Sequence, residues 1–138
     1  MTPQPWRYQF ARVLRVIDGD TLELEIDLGF RARIVERFRL RDYNAPELHS
    51  SDPREHAMGA EAWAQLQIML ADRRVEVASW KADSFGRWLA DVTVIGPEGD
   101  ALDVVEQLVA GGWGVRWDGR GRAPRPWLDA GASYPMQA

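Results

Sequence analysis

The sequence predicts an α+β fold, compatible with a small closed barrel of five strands carrying two to three helices. Three observations lead there. Residues 21–28 and 33–41 alternate apolar and polar side chains with the period of half-buried strands. The expected elements run three strands, a helix, two strands, a helix, and such an order suits a small closed barrel. The chain has 138 residues, one domain's worth and enough to bury a core without staples.

Residues 6–16 mix β-formers with polar residues and read as the first strand. Asp18-Gly19-Asp20 is a turn signal. In the second strand Leu22, Leu24, Ile26 and Leu28 share one face, with Glu23, Glu25 and Asp27 on the other. Gly29 opens the next turn. In the third strand Ile34, Phe38 and Leu40 share a side with Glu36, and the arginines lie mostly opposite. Glu36 breaks the apolar set, so a bulge or a later start is expected there. Residues 42–54 read as a loop punctuated by Pro46 and Pro53. Within residues 57–71, Ala62, Trp63, Leu66, Met69 and Leu70 recur at helical spacing. Strands follow over residues 74–80 and 87–95, separated by a turn at 82–86. Gly96-Pro97-Glu98-Gly99 leads into a second helix over residues 102–110, with Leu102, Val105, Leu108 and Val109 inward and Gly111-Gly112 as its stop. The core is expected to span residues 7–117 of a single domain covering residues 1–138. Beyond it lies a Gly-, Pro- and Arg-rich tail, residues 118–138, in which Pro124, Pro126, Gly131 and Pro135 leave room for only a short helix near Trp127. An ordered wrap around Trp113 and Trp117 is expected, then fraying toward Ala138. An OB-fold places the helix after its third strand at one end of the barrel, and this order fits it.

The chain contains no cysteine, which excludes a disulfide framework and a thiolate zinc site. No apolar run approaches the length that crosses a bilayer. Residues 1–10 lack a basic-then-apolar leader, so a cytoplasmic location is expected, with a secreted mature form left open. A net charge of -4 argues against coating nucleic acid by bulk attraction. Distribution matters more than the sum. Lys81 is the only lysine, and Arg31, Arg33, Arg37, Arg39 and Arg41 fall in one stretch. Codon bias accounts for the global skew, but arginines alternating along one strand suit two-pronged phosphate contacts.

Three strings place chemistry-bearing residues beside turns. In Val16-Ile17-Asp18-Gly19-Asp20-Thr21, two carboxylates flank a glycine and can present oxygens to a hard cation; taken singly, an Asp-Gly hairpin turn explains them as well. Phe38-Arg39-Leu40-Arg41-Asp42-Tyr43-Asn44-Ala45-Pro46-Glu47 runs an arginine-bearing strand into a loop stiffened by proline, a setting for a positioned base or for a solvated glutamate. In Asp83-Ser84-Phe85-Gly86-Arg87-Trp88-Leu89-Ala90, Gly86 permits a tight turn and Arg87 opens a strand.

In this order and separation, the strings resemble the staphylococcal nuclease (thermonuclease) family. Ile17-Asp18-Gly19-Asp20-Thr21, Phe38-Arg39-Leu40 with Pro46-Glu47, and Phe85-Gly86-Arg87 with Leu89-Ala90 carry the likeness. Gly59-Ala60-Glu61-Ala62 and Leu108-Val109 with Gly112 extend it over roughly residues 11–115. The resemblance implies an OB-type barrel and a calcium-dependent phosphodiesterase that hydrolyses DNA and RNA, leaving 3′-phosphate ends. It implies Asp20 as a calcium ligand, Glu47 as the base that deprotonates water, and Arg39 and Arg87 as stabilisers of charge on the scissile phosphate. It also implies a ligand from the position of Asn44 and a backbone carbonyl from that of Ala45.

Asn44 departs from the family's usual aspartate. An amide oxygen can ligate calcium but brings no charge, so weaker calcium binding is expected, with Asp18 or Asp42 nearby to compensate. Arg41 is expected to contact substrate. Tyr43 and Trp117 are candidate stacking platforms because they fall in a loop and in the tail, and single-stranded or flexible DNA and RNA would suit them. Trp63, Trp80, Trp88 and Trp113 are expected in the core. His49 and His56 match no common zinc spacing. A monomer acting on nucleic acid without a membrane role is expected. The rival is a weakened or inactive module of the same barrel that binds nucleic acid or protein.

Overall fold

Alternating residues become long strands here because one face of each can be buried while the other meets water. The computed structural model describes residues 5–71, 73–83 and 85–129. Ser84, Gly131, Pro135 and the stretch toward Ala138, where fraying is expected, lie outside the described residues. In chain order the elements are β1 (Trp6–Asp18), β2 (Thr21–Gly29), β3 (Ala32–Leu40), β4 (Tyr43–Asn44), α1 (Pro53–Leu70), β5 (Arg74–Ala82), β6 (Trp88–Ile95), β7 (Ala101–Asp103), α2 (Val104–Ala110), β8 (Val115–Arg116) and α3 (Pro126–Asp129).

β1, β2 and β3 form an antiparallel meander, β5 pairs with β1, and β6 with β5. A parallel pairing of β3 with β6, in register Phe38 with Trp88 and Leu40 with Ala90, then closes the ring. The result is a five-stranded mixed barrel with three helices, α+β in class. Closure satisfies the backbone groups that an open sheet edge would leave bare. Leu22, Leu24, Ile26, Leu40, Val75, Val92 and Val94 fill the barrel, each at most 2% exposed. Each such side chain contributes roughly 1.5–3 kcal/mol by leaving water, so this interior is the main stabiliser.

α1 packs on β1 through Ala62, Leu66 and Leu70, and Trp63 Nε1 donates to the Val16 carbonyl at 2.8 Å. The helix begins at Pro53, four residues before its apolar rhythm predicts. Asp52 caps it, accepting from the Arg54 amide at 2.8 Å, and Pro53 fits the first turn because no donor is needed there. No helix among the described residues is long and apolar enough to cross a membrane.

Four expectations change. The β2–β3 register runs without a break through Leu24 with Glu36, so Glu36 causes no bulge and β3 starts before it. Leu28 and Leu102 face outward, 40% and 38% exposed, because β2 runs past the barrel and Leu102 belongs to β7 rather than to α2. Tyr43–Asn44, expected as loop, pairs with Val115–Arg116 as a small second sheet. Trp127 is fully buried, so the short helix near it is a packed element of the fold.

Candidate active site

The β1–β2 turn supplies the first acid. Gly19 fits there because a Cβ would stand 2.9 Å from Ala45 Cβ and 3.0 Å from Ala62 Cβ; the turn is wedged between the loop after β4 and α1. Asp20 follows, 6% exposed. One carboxylate oxygen accepts from the Ala45 amide at 3.1 Å, and the other accepts from Thr21 Oγ1 at 3.1 Å. Arg39 reaches the Asp20 carboxylate at 3.3 Å because Thr21 and Arg39 are cross-strand neighbours. Burial pushes the Asp20 carboxyl up to about 7, against the pull of Arg39, and Asp18 beside it adds to the rise.

Arg39 is held at several points. Its guanidinium donates to the Tyr43 carbonyl and to Asn44 Oδ1, each at 3.1 Å, and lies over the Trp117 ring at 5.5 Å. Asn44 Nδ2 donates in turn to the Pro124 carbonyl at 3.0 Å. Arg87 is fixed from its own turn: Asp83 accepts from Nε at 2.9 Å and takes a second guanidinium contact at 2.8 Å, while Nη1 donates to Thr21 Oγ1 at 3.2 Å. Burial works against a charged Asp83, but the Arg87 and Phe85 amides and the Arg87 guanidinium more than offset it and hold its carboxyl below the usual range.

Glu47 enters by a different route. Pro46 before it is buried and Glu47 itself is exposed. Its backbone lies hard against α1 at Gly59, where a Cβ would stand 2.6 Å from the Glu47 carbonyl. Among the described residues Glu47 enters no salt bridge, so its carboxylate is left to the solvent of the cleft. The loop and α1 are braced from behind. Glu55, fully buried, accepts from Arg125 Nε at 3.0 Å and Trp127 Nε1 at 2.6 Å. Burial works to raise the Glu55 carboxyl, but hydrogen bonds from Arg125, Ser50 and Trp127 overcome it and bring it down to about 2.

Asp18, Asp20, Arg39, Asn44, Ala45, Glu47 and Arg87 therefore line one cleft of about 560 Å³. A second groove of about 340 Å³ shares Arg39 and Arg87 with it and continues past Trp117. Of the other strand arginines, Arg37 reaches the cleft, whereas Arg31 and Arg33 do not. His49 lies at the cleft, His56 faces the Leu48 carbonyl, and no further zinc donor joins them among the described residues.

A hard cation fits the chemistry of the donors in part. Asp20, Asp18, the Asn44 amide and the Ala45 carbonyl supply oxygen only, which is what calcium takes. No three His, Cys, Asp or Glu side chains gather around one point among the described residues, so backbone, amide and water oxygens would have to complete the shell. Asp18 is placed to add charge. Asp42 is not: it pairs with Arg41 at 3.2 Å and lines the second groove.

One substrate expectation is corrected. Tyr43 is 1% exposed and belongs to the core, so its ring offers no face to a base. Arg41 lines the second groove, where two hydrogen bonds of 3.1 and 3.0 Å tie it to Asp91 and its guanidinium lies over Trp80 at 4.0 Å. Trp117 remains half-buried in the second groove. Phe85, 82% exposed and shared by both depressions, is the aromatic that sequence reasoning passed over. Asp83 was readable: an aspartate two and four residues before the amides it accepts from is the mark of an Asx turn.

The family model described as Staphylococcal nuclease homologue matches residues 37–120. No curated protein matches the chain.

Proposed function

The chain belongs to the staphylococcal nuclease homologue family, and on that premise we propose that it is a calcium-dependent phosphodiesterase acting on single-stranded or flexible DNA and RNA. The observation that carries this reading is the convergence of Asp20, Arg39, Glu47 and Arg87 on one cleft, from three strand ends and a loop far apart in the chain.

Glu47, exposed at the cleft and in no salt bridge among the described residues, takes a proton from an attacking water. The water oxygen bonds to phosphorus as the bond to the 5′ oxygen breaks, and the departing 5′ oxygen takes up a proton from the solvent of the open cleft. The products are a 3′-phosphate and a 5′-hydroxyl. Arg39 and Arg87 are pre-placed to balance the charge that builds on the phosphoryl oxygens, and cations fixed in advance are usually the largest catalytic contribution. Asp20, with Asn44 Oδ1 and the Ala45 carbonyl, would hold a calcium ion, whose chemistry is to clamp phosphate and water together. Phe85 and Trp117 offer faces on which splayed bases can stack.

A second reading, a weakened or inactive module that binds nucleic acid or protein, is favoured by one feature. The Asn44 amide oxygen is already engaged by Arg39 and adds no charge to the metal site. Incubating the protein with a single-stranded oligonucleotide, with calcium or with a chelator, separates the two. Calcium-dependent cleavage with 3′-phosphate ends supports the nuclease; binding without cleavage at any calcium concentration supports the module.

A further inference from the structure

Glu36 is an exposed acid on the face of β3 that buries Phe38 and Leu40 further along; it stands between Ile34, itself 41% exposed, and Phe38, and the strand carries no irregularity that would turn it to the other face. An acid on a core-facing row is costly unless it meets water or a cation. Here the row opens at a mouth of the barrel, on a pocket of about 230 Å³. Its walls are Trp6, Tyr8 and Trp88, its floor includes Phe38 and Ile26, and Glu36 stands among them. Register explains the gathering: Trp6 lies opposite Ser79, and Trp88 opposite both Ala82 and Phe38. The pocket shares no lining residue with the candidate active site or the groove beside it.

Two features separate this pocket from an ordinary gap in packing. Trp6 and Trp88 are 61% and 36% exposed, so large aromatic surfaces are left facing solvent where a core would cover them. The neighbouring β2 acids, Glu23 and Glu25, are each paired with an arginine, whereas Glu36 has no ion pair among the described residues. Among the described residues, the pocket thus combines aromatic faces with one negative charge that no ion pair balances. That combination attracts a cation with an apolar coat, whose charge meets the ring faces and whose alkyl groups meet their carbon surface. A phosphate-bearing ligand would be repelled by Glu36, and a neutral apolar one would strip its water without return.

We propose that the barrel mouth around Trp6, Tyr8, Glu36 and Trp88 binds a quaternary ammonium group. Such a group can come from a small molecule such as choline or from a trimethylated lysine side chain. The probe for the full-length chain is tetramethylammonium, followed by tryptophan emission and amide NMR shifts. Choline, a trimethyl-lysine peptide and the neutral carbon isostere of choline are titrated alongside. Saturable binding is expected, with the isostere about tenfold weaker or more, since the charge is what the rings and Glu36 recognise. Glu36→Gln, an exposed change that leaves the barrel intact, should weaken the cation about fivefold or more, and Trp88→Ala should abolish it. Tighter binding of choline or of the peptide assigns the source, and either supports the site. The proposal is overturned by the absence of saturable tetramethylammonium binding, by equal binding of the isostere, or by full affinity in a folded Glu36→Gln variant.

Discussion

Asn44 Oδ1 accepts a hydrogen bond from the Arg39 guanidinium at 3.1 Å, while the same side chain donates from Nδ2 to the Pro124 carbonyl at 3.0 Å. One amide thus spans the proposed phosphate-binding arginine and the C-terminal segment. An aspartate would keep the first contact and add charge for a cation, but it would set an oxygen against the Pro124 carbonyl. Asn44→Asp should lower the calcium concentration for half-maximal cleavage about tenfold. It should also cost about 1–3 kcal/mol of stability, the penalty of an unsatisfied buried acceptor. Calcium titration and denaturant unfolding read the two effects separately, and an unchanged calcium requirement would remove Asn44 from the metal site.

Asp83 holds Arg87 by two contacts within its own turn. Asp83→Asn keeps an acceptor for the Phe85 and Arg87 amides but loses the charge that orients the guanidinium. Cleavage should fall about tenfold to a hundredfold with substrate affinity little changed, since misplacing a charge-stabilising donor costs most in the transition state. Equal loss of affinity and turnover would mean that Arg87 serves ground-state binding instead.

Gly59 occupies the middle of α1, where alanine would normally add about 1 kcal/mol of helix stability. Here a Cβ would stand 2.6 Å from the Glu47 carbonyl. Backbone cannot yield as a side-chain tip does, so the steric cost of about 1–3 kcal/mol should win. Gly59→Ala should therefore lower both the melting temperature and the cleavage rate, because the Glu47 loop must move. A variant more stable than the parent would show that the loop is not pressed on the helix.

The strands were legible because period-two alternation is local: Leu22, Leu24 and Ile26 announce a buried face without knowledge of any partner. The turns and loop around Asp20, Glu47 and Arg87 were legible for the same reason, but singly each string had a plain structural explanation, and the roles of these residues came only from the family resemblance of the ordered set. What failed to show was long-range. Arg41 with Asp91, and Glu55 with Arg125, are separated by 50 and 70 positions, and nothing in either string names the other. Tyr43 looked available because it reads as part of a loop, yet its pairing with Arg116 fixes it in a short strand and its side chain is buried in the core. Trp88 looked like core because it lies within a predicted strand, yet it stands at the start of β6, 36% exposed, beside the pocket of Trp6 and Tyr8. Asp52-Pro53 was a readable helix start, hidden only because the apolar rhythm begins later.

Glu55 ties α1 to the C-terminal segment, and its carboxyl lies at about 2, below its ordinary 4.5. A lowered value means that the ionised form stabilises the fold. That contribution is complete above about 4.5 and disappears as pH falls through about 2. Glu55→Gln should cost about 3 kcal/mol at neutral pH, because it removes the charge that balances Arg125 and replaces one acceptor oxygen with a donor. The gap between parent and variant should close as pH falls across that window. Denaturant unfolding at several pH values checks it, and a gap independent of pH would assign the loss to packing alone.

The most direct test of the nuclease reading is the kinetics of Glu47→Gln on a single-stranded oligonucleotide with calcium present. The substitution keeps the size of the side chain and removes its ability to accept a proton. Turnover should fall by about a hundredfold or more while the substrate dissociation constant stays within about threefold, the pattern of a lost general base. Turnover equal to the parent's would contradict the assignment of Glu47 as the base.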